Sequence, residues 1–372
     1  MLSNALKLYQ QLISVLAPPS GVKSYVNLLL LYFDDFVDSW QNYVLDKPTL
    51  IRDIWFIGAK PMNLNNIAQS YHDEDSARAF LEAQRWPKGE VGCPKCGEVG
   101  RSYRLQPKKN GDTHARKGVW KCGACRKQFT VTVGTIFEDS HIPLNKWLMA
   151  IHLLCSSKKG MSAHQLHRML GVQYKSAWFM AHRIRYAMAE LNLPLLTGTV
   201  EVDETYVGGK QVYGPHGLRK NKITKAPVVS LVERGSKVRS FHKEMVTGKT
   251  LKQVVHDNVA KNAHVMTDNH PGYGGLKKDF KHSVIRHSWK VYARKEGDVL
   301  ISTNTIEGYF SILKRGINGV YHHVRKHNLH RYLSEFDFRY NSRDLKDGER
   351  SLLAIRKVTG KRLKYRDSSK PV

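Results

Sequence analysis

Acidic residues are scarce in this chain: 32 Asp and Glu stand against 60 Lys and Arg in 372 residues, a formal net charge of +28. Such a balance gathers polyanions, so nucleic acid is the expected partner, with an anionic membrane surface the weaker option. The excess is uneven. Residues 1–60 carry five basic and five acidic residues and are neutral, so the positive charge belongs to residues 61–372. Long apolar runs are also missing. The longest candidate, residues 28–33, is closed at once by Asp34 and Asp35, far short of the ~18–20 residues a membrane span needs. The start is not basic and has no clear small-residue cleavage site, which argues against a secretory signal. There are only five cysteines, and four of them lie in Cys-x-x-Cys pairs. That excludes a disulfide framework and points to a metal in a reducing compartment. No internal repeat or low-complexity tract is present, which excludes a solenoid.

What is there reads as several segments of a multidomain α+β or α/β chain. Residues 1–61 form a neutral preface, in which residues 2–16 have amphipathic helical spacing and residues 18–21 (Pro-Pro-Ser-Gly) break it. Two readings of it stand side by side: an upstream stretch translated ahead of a true start at Met62, or a helical N-terminal arm. Residues 63–85 have helical apolar spacing through Ile67, Tyr71, Ala77, Phe80 and Leu81. Residues 128–133 alternate as a strand does. Residues 144–154 are strongly apolar. Ser162 with Gln165 has the capping-box form and opens a helix to Leu170, and a turn at 171–173 leads to a second helix over 175–190. From residue 198 the period changes to two. A hairpin is expected over 227–246, a helix over 249–262, a strand ending at Asp268 and a helix over 304–315. Residues 361–370 read as a basic, frayed end.

The cysteines carry the most specific local signal. Cys93 and Cys96, then Cys122 and Cys125, form two knuckles, and four thiolates in that pattern suit a structural Zn²⁺ with no open position. Residues 161–186 have the form of a helix-turn-helix. Its second helix presents Lys175, Trp178, His182, Arg183 and Arg185, residue types that read DNA in a major groove or sit on phosphates; a plain helical hairpin with a solvated basic face has the same pattern. Three carboxylates complete the set: Asp203 in a strand, Asp268 at a strand end and Glu307 in a helix. Carboxylates so placed can hold two Mg²⁺ ions, or Mn²⁺, against a phosphodiester. Each has an ordinary reading too. Glu201 or Glu204 can stand in for Asp203, with alternation placing Glu204 on the opposite face. Asp268 can begin a turn, and Asn304 with Glu307 has the form of a helix-capping pair. Lys314 lies about two helical turns after Glu307, on the same face.

These motifs resemble the ISXO2-like transposases of the IS1595 insertion-sequence family. The likeness runs from Met62 to Arg343. It rests on Arg85-Trp86-Pro87, both cysteine knuckles, residues 128–135, Asp203-Glu204-Thr205-Tyr206-Val207-Gly208-Gly209, Thr267-Asp268, Asn304-Thr305-Ile306-Glu307, Leu313-Lys314-Arg315-Gly316 and Glu335-Phe336-x-Phe338-Arg339-Tyr340-Asn341. It implies an N-terminal zinc ribbon with helix (62–138), a helical DNA-binding segment (139–194) and an RNase H-like mixed-sheet catalytic domain of the DDE type (195–345); residues 346–372, beyond the likeness, read as a basic C-terminal tail. Asp203, Asp268 and Glu307 become metal-binding carboxylates with Lys314 as their companion. Some relatives have Asn at the third acidic position. The implied activity is Mg²⁺-dependent cleavage and strand transfer at the ends of an insertion sequence. DNA is then the partner, as terminal inverted repeats and target, and a homodimer or larger assembly at the nucleoid in the cytoplasm is expected. The alternatives are a structure-specific nuclease that cuts without joining, and a silent DNA-binding relic.

Overall fold

Asn63 and Asp73 each precede a helix and accept a hydrogen bond from the backbone N–H three residues on. These caps satisfy N–H groups that a helix leaves open. They divide the helical spacing of 63–85 into α1 (Leu64–Ser70) and α2 (Glu74–Arg85). The structure is a computed structural model, and it describes residues 62–106, 117–190, 193–208, 225–286 and 292–367. The 1–61 preface, with both readings of it, lies outside the described residues. All described residues belong to one compact unit spanning Lys60–Val372.

Strands β1 (Ser102–Arg104), β2 (Trp120–Cys122) and β3 (Gln128–Phe129) form a small antiparallel sheet in that order. The strand expected over 128–133 stops after two residues. Beyond it the chain turns, and Arg85 donates to the carbonyls of Val131 and Val133 in place of a ladder. Next comes α3 (Leu144–Ser156), largely buried, as its apolar run requires. Ser162 caps α4 (Ala163–Leu170) by accepting from the Gln165 N–H, as its capping-box form predicts. Gly171, at φ 58, ends α4, and α5 (Tyr174–Met188) comes after a short turn.

The large sheet has the order β6-β5-β4-β7-β8. Its strands are β4 (Thr199–Val207), β5 (Ala226–Glu233), β6 (Val238–His242), β7 (His264–Thr267) and β8 (Lys281–Val284). The first three pair antiparallel, and β4, β7 and β8 pair parallel, so the sheet is mixed. Helix α6 (Gly248–Asn258) crosses between β6 and β7 and buries Leu251, Val254 and Val255 against Val200, Val202 and Leu231. A hairpin, β9 (Ala293–Glu296) and β10 (Val299–Ser302), precedes α7 (Asn304–Gly316). A π-helical turn (Ile317–Tyr321) then leads to α8 (Lys326–Asn341). Both helices cover the other sheet face, where Ile306, Phe310, Leu333 and Phe336 meet Val228 and Val232. Two outward N–H groups of edge strand β6 are covered: Val238 donates to Asn341 and Ser240 to Asp337, both on α8.

The segment expected as a basic tail over 346–372 holds a further helix, α9 (Asp347–Arg356). It buries Leu352, Ala354 and Ile355 and packs on α3. The apolar spacing of 351–355 outweighs the basic residues around it.

Candidate metal centres

The two cysteine knuckles are built alike. Gly97 N–H donates to the Cys93 carbonyl, and Arg126 N–H donates to the Cys122 carbonyl. Both donors have positive φ, so each loop curls until its two sulfurs face one way. The four Sγ atoms lie within 4.8 Å of one another, and Cys93–Cys125 and Cys96–Cys122 are each 3.7 Å apart. A tetrahedron with ~2.3 Å metal–sulfur bonds has edges of about 3.8 Å. The donor set therefore fits Zn²⁺, with no position left for a substrate. Backbone N–H groups of Cys125 and Ala124 pull the Cys122 thiol down to about 7, while at Cys96 the backbone N–H of Glu98 is outweighed by the neighbouring thiols, which push that thiol up to about 12. Trp86, Val91, Trp120 and Phe129 pack around the sulfurs, and Arg85 and Trp86 tie α2 to this cluster.

The acidic centre sits where β4 outruns its parallel neighbour. The last paired residues are Val202 and Thr267. Asp203 and Glu204 thus project past the end of β7, where Asp268 leaves the sheet. Carboxylate oxygens of Asp203, Glu204 and Asp268 lie within 4.8 Å of one another. Strand alternation alone puts Glu204 on the far side from Asp203. At this open end it reaches round and accepts from the Tyr273 hydroxyl at 2.7 Å, with His270 3.7 Å away. Burial, then Asp268, Glu204 and Glu307, push the Asp203 carboxyl up to about 7. Such repulsion is relieved when a cation enters, and hard oxygen donors suit Mg²⁺ or Mn²⁺.

Glu307 is exposed on the first turns of α7. It is outside the tight group, although its charge is felt at Asp203. Lys314 is exposed two turns further along α7. The capping pair expected from Asn304 and Glu307 does not form, because the helix starts after Thr303. Its end is held instead by Glu201, fully buried, which accepts from the Ile306 N–H (2.9 Å), Thr305 Oγ1 (3.0 Å) and Arg234 Nε (2.7 Å). Glu201 is thus a strut between β4 and α7 and is taken out of contention with Asp203.

Residues 195–341 match the ISXO2-like transposase domain, and residues 72–128 match the transposase zinc-ribbon domain of the same family, together more than half of the chain. The chain carries an ISXO2-like transposase domain behind a transposase zinc ribbon. An uncharacterized protein in transposable element ISH50 of Halobacterium salinarum is 27% identical over 290 residues, covering 73% of this chain and 92% of that protein. Among solved structures, a simian T-cell lymphotropic virus intasome in complex with PP2A regulatory subunit B56 gamma aligns at 15% identity. That alignment covers 52% of this chain and 65% of the other, with a TM-score of 0.25, too low to support any conclusion. Among the described residues no helix is long and apolar enough to cross a membrane.

The late family motif, 335–341, becomes intelligible as packing. Buried Glu335 accepts from Arg185 Nε (2.6 Å), Arg339 (2.5 Å) and the Tyr321 hydroxyl (2.7 Å). Those two arginines hold its carboxyl below the usual range despite burial. Asn341 closes the β6 edge. This corrects the reading of α5. His182, Arg183 and Arg185 are buried: Arg183 donates to the carbonyls of Ile136, Glu138 and Leu363, and His182 packs against Trp178 with the rings tilted by 59°. The two arginines join α5 to residues 136–138, to Leu363 and to α8, and none of the three faces a groove. Lys175, by contrast, is exposed, with its ammonium over the Tyr365 ring.

Proposed function

We propose that this chain is an ISXO2-like transposase that cuts the DNA ends of an insertion sequence and joins them to target DNA at the centre formed by Asp203, Asp268 and Glu307. The observation that carries this reading is the convergence of Asp203 and Asp268 at adjacent parallel strand ends, with the charge of Glu307 reaching Asp203 from α7. Asp203 and Asp268 would hold Mg²⁺ or Mn²⁺, with Glu307 completing the set. The bound ions would sharpen an attacking oxygen and neutralise the leaving one. The first transfer breaks a phosphodiester with water and frees a 3′-OH. The second uses that 3′-OH to attack a target phosphodiester and expels a new 3′-OH, so no Ser or Tyr nucleophile is required. Glu204 holds the loop after β7 through Tyr273, and Glu201 fixes the start of α7; both position the neighbouring carboxylates. Lys314 would pair with a phosphate beside the centre. In this reading the ribbon of 62–138 and the helices of 139–194 grip the terminal repeats, with Lys175 the exposed member of the α5 set. Pairing two ends calls for a dimer or larger assembly, working on DNA in the cytoplasm.

A strand-transfer assay with labelled element ends, a target plasmid and Mg²⁺ tests this. Wild type should give joined products, and Asp203→Ala and Asp268→Ala should give none. Cleavage without joining would make the chain a nuclease. Binding with neither reaction, in Mg²⁺ or Mn²⁺, would make it a DNA-binding relic.

A further inference from the structure

Two long stretches of this chain contain no acidic residue: 140–189, with seven Lys and Arg, and 308–334, with five. The fold brings them into contact. The turn between α3 and α4, Ser157-Lys158-Lys159-Gly160, sits against the end of α7. It is closed on itself by the Ser157 hydroxyl, which donates to the Gly160 carbonyl at 2.6 Å. A methyl placed on Gly316 would lie 2.8 Å from the Lys159 carbonyl oxygen and would overlap the Phe336 ring, while one on Gly160 would overlap the Tyr321 hydroxyl. Tyr321 is itself fixed by its bond to Glu335. The junction is closely packed, and a side chain at either glycine would force its neighbours to shift. It leaves Lys158 and Lys159 exposed on the turn that touches Gly316, and Lys314 and Arg315 are exposed just before Gly316 at the end of α7. Among the described residues no ion pair holds any of the four.

Four exposed cations without an ion-pair partner around one junction make a local positive field that attracts an anion. The position says which anion. Along α7 the patch begins about two turns from Glu307, and along the chain Lys159 lies just ahead of α4. We propose that Lys158, Lys159, Lys314 and Arg315 form one phosphate track, which carries the DNA backbone between the acidic centre and the α4–α5 pair. The proposal rests on the reading of this chain as a DNA-acting transposase, and adds residues and a path that neither metal centre requires. Contacts of this kind are independent of base sequence and act by counterion release.

The test uses the full chain without divalent metal and a fluorescein-labelled duplex of about 40 base pairs of arbitrary sequence, its anisotropy followed against salt. The triple variant Lys158→Ala, Lys159→Ala, Arg315→Ala should bind at least about tenfold more weakly near 0.15 M salt. Its slope of log affinity on log salt should be shallower by about two to three. Lys277→Ala, Lys278→Ala, Lys281→Ala, an equal charge change near the opposite sheet edge, serves as control. If wild type binds and both triples weaken binding equally, the track is wrong and the transposase reading stands. If wild type does not bind duplex DNA at all, the reading beneath it fails as well. Acetylation footprinting of wild type guards against misfolding of a variant: duplex should slow modification of Lys158 and Lys159 several-fold, and unchanged rates would overturn the track.

Discussion

The two candidate metal centres of this chain are put together in opposite ways. The cysteine site is local. Each knuckle is five residues long, its sulfurs are aimed by its own turn, and the sheet around it is small. The acidic group is assembled from β4 and the end of β7, with α7 beside it, and depends on a strand register and on a helix start pinned by Glu201. The first centre holds its surroundings together, whereas the second is held in place by its surroundings at a cost in charge repulsion. Removing a ligand should therefore have opposite effects on stability at the two sites.

The largest effect is expected at the ribbon. Chelation, or Cys122→Ser, should bring bound zinc from one per chain to none and open the cluster around Trp86 and Trp120. Structural zinc contributes on the order of 10 kcal/mol to the folding of such small units. Red-shifted tryptophan emission and new protease cuts within 93–129 would show it. Unchanged emission after zinc loss would mean that the ribbon stands without its metal.

Next in size is the buried network between α5 and α8. Arg185→Ala leaves Glu335 charged and underpartnered in the interior, and should cost about 3–5 kcal/mol in chemical denaturation. A loss of DNA affinity at unchanged stability would restore Arg185 to a DNA-reading role.

Asp203→Asn should act in the other direction. In the folded chain this carboxyl keeps its proton up to about pH 7, and in an unfolded chain only to about pH 4. Folding then takes up a proton between those values, so stability declines as pH rises through them. The variant escapes that decline. It should be more stable than wild type at pH 8, by up to about 4 kcal/mol, with the gap closing near pH 4. Saturating Mg²⁺ should raise the Tm of wild type and leave that of Asp203→Asn unmoved. Thermal unfolding across pH, with and without Mg²⁺, checks both statements.

The smallest effect belongs to Lys175→Ala. This side chain is exposed and covers one ring, so stability should change by no more than about 0.5 kcal/mol, while DNA affinity should fall measurably in an anisotropy titration.

The same contrast explains what could be read from the chain. The zinc site was legible because its geometry lies within Cys-x-x-Cys. The Ser162 cap, the α4–α5 pair and the hairpin of β5 and β6 were legible because caps, turns and periods act over a few residues. Asp203 and Asp268 could be ranked only with the help of family likeness, since Glu201 and Glu204 share their local pattern. What separates the four is non-local: Glu201 is taken by Thr305, Ile306 and Arg234, and Glu204 by Tyr273. The basic residues of α5 misled for the same reason. Charge in a sequence gives no sign of being buried, and the partners of Arg183 and Arg185 lie 45 to 180 residues away. Helix α9 was hidden by the basic residues that surround its apolar face.

The third carboxylate is the most exposed point of the proposed chemistry, because Glu204 is inside the tight acidic group and Glu307 is outside it. The most direct measurement is strand transfer in Mg²⁺ by Glu307→Gln beside Glu204→Gln, with both variants confirmed folded by their melting curves. Glu307→Gln should abolish joining while Glu204→Gln keeps a substantial part of it, since Glu204 supports its neighbours through Tyr273. Full joining by Glu307→Gln together with none by Glu204→Gln would contradict the assignment and move the third ligand from α7 to β4.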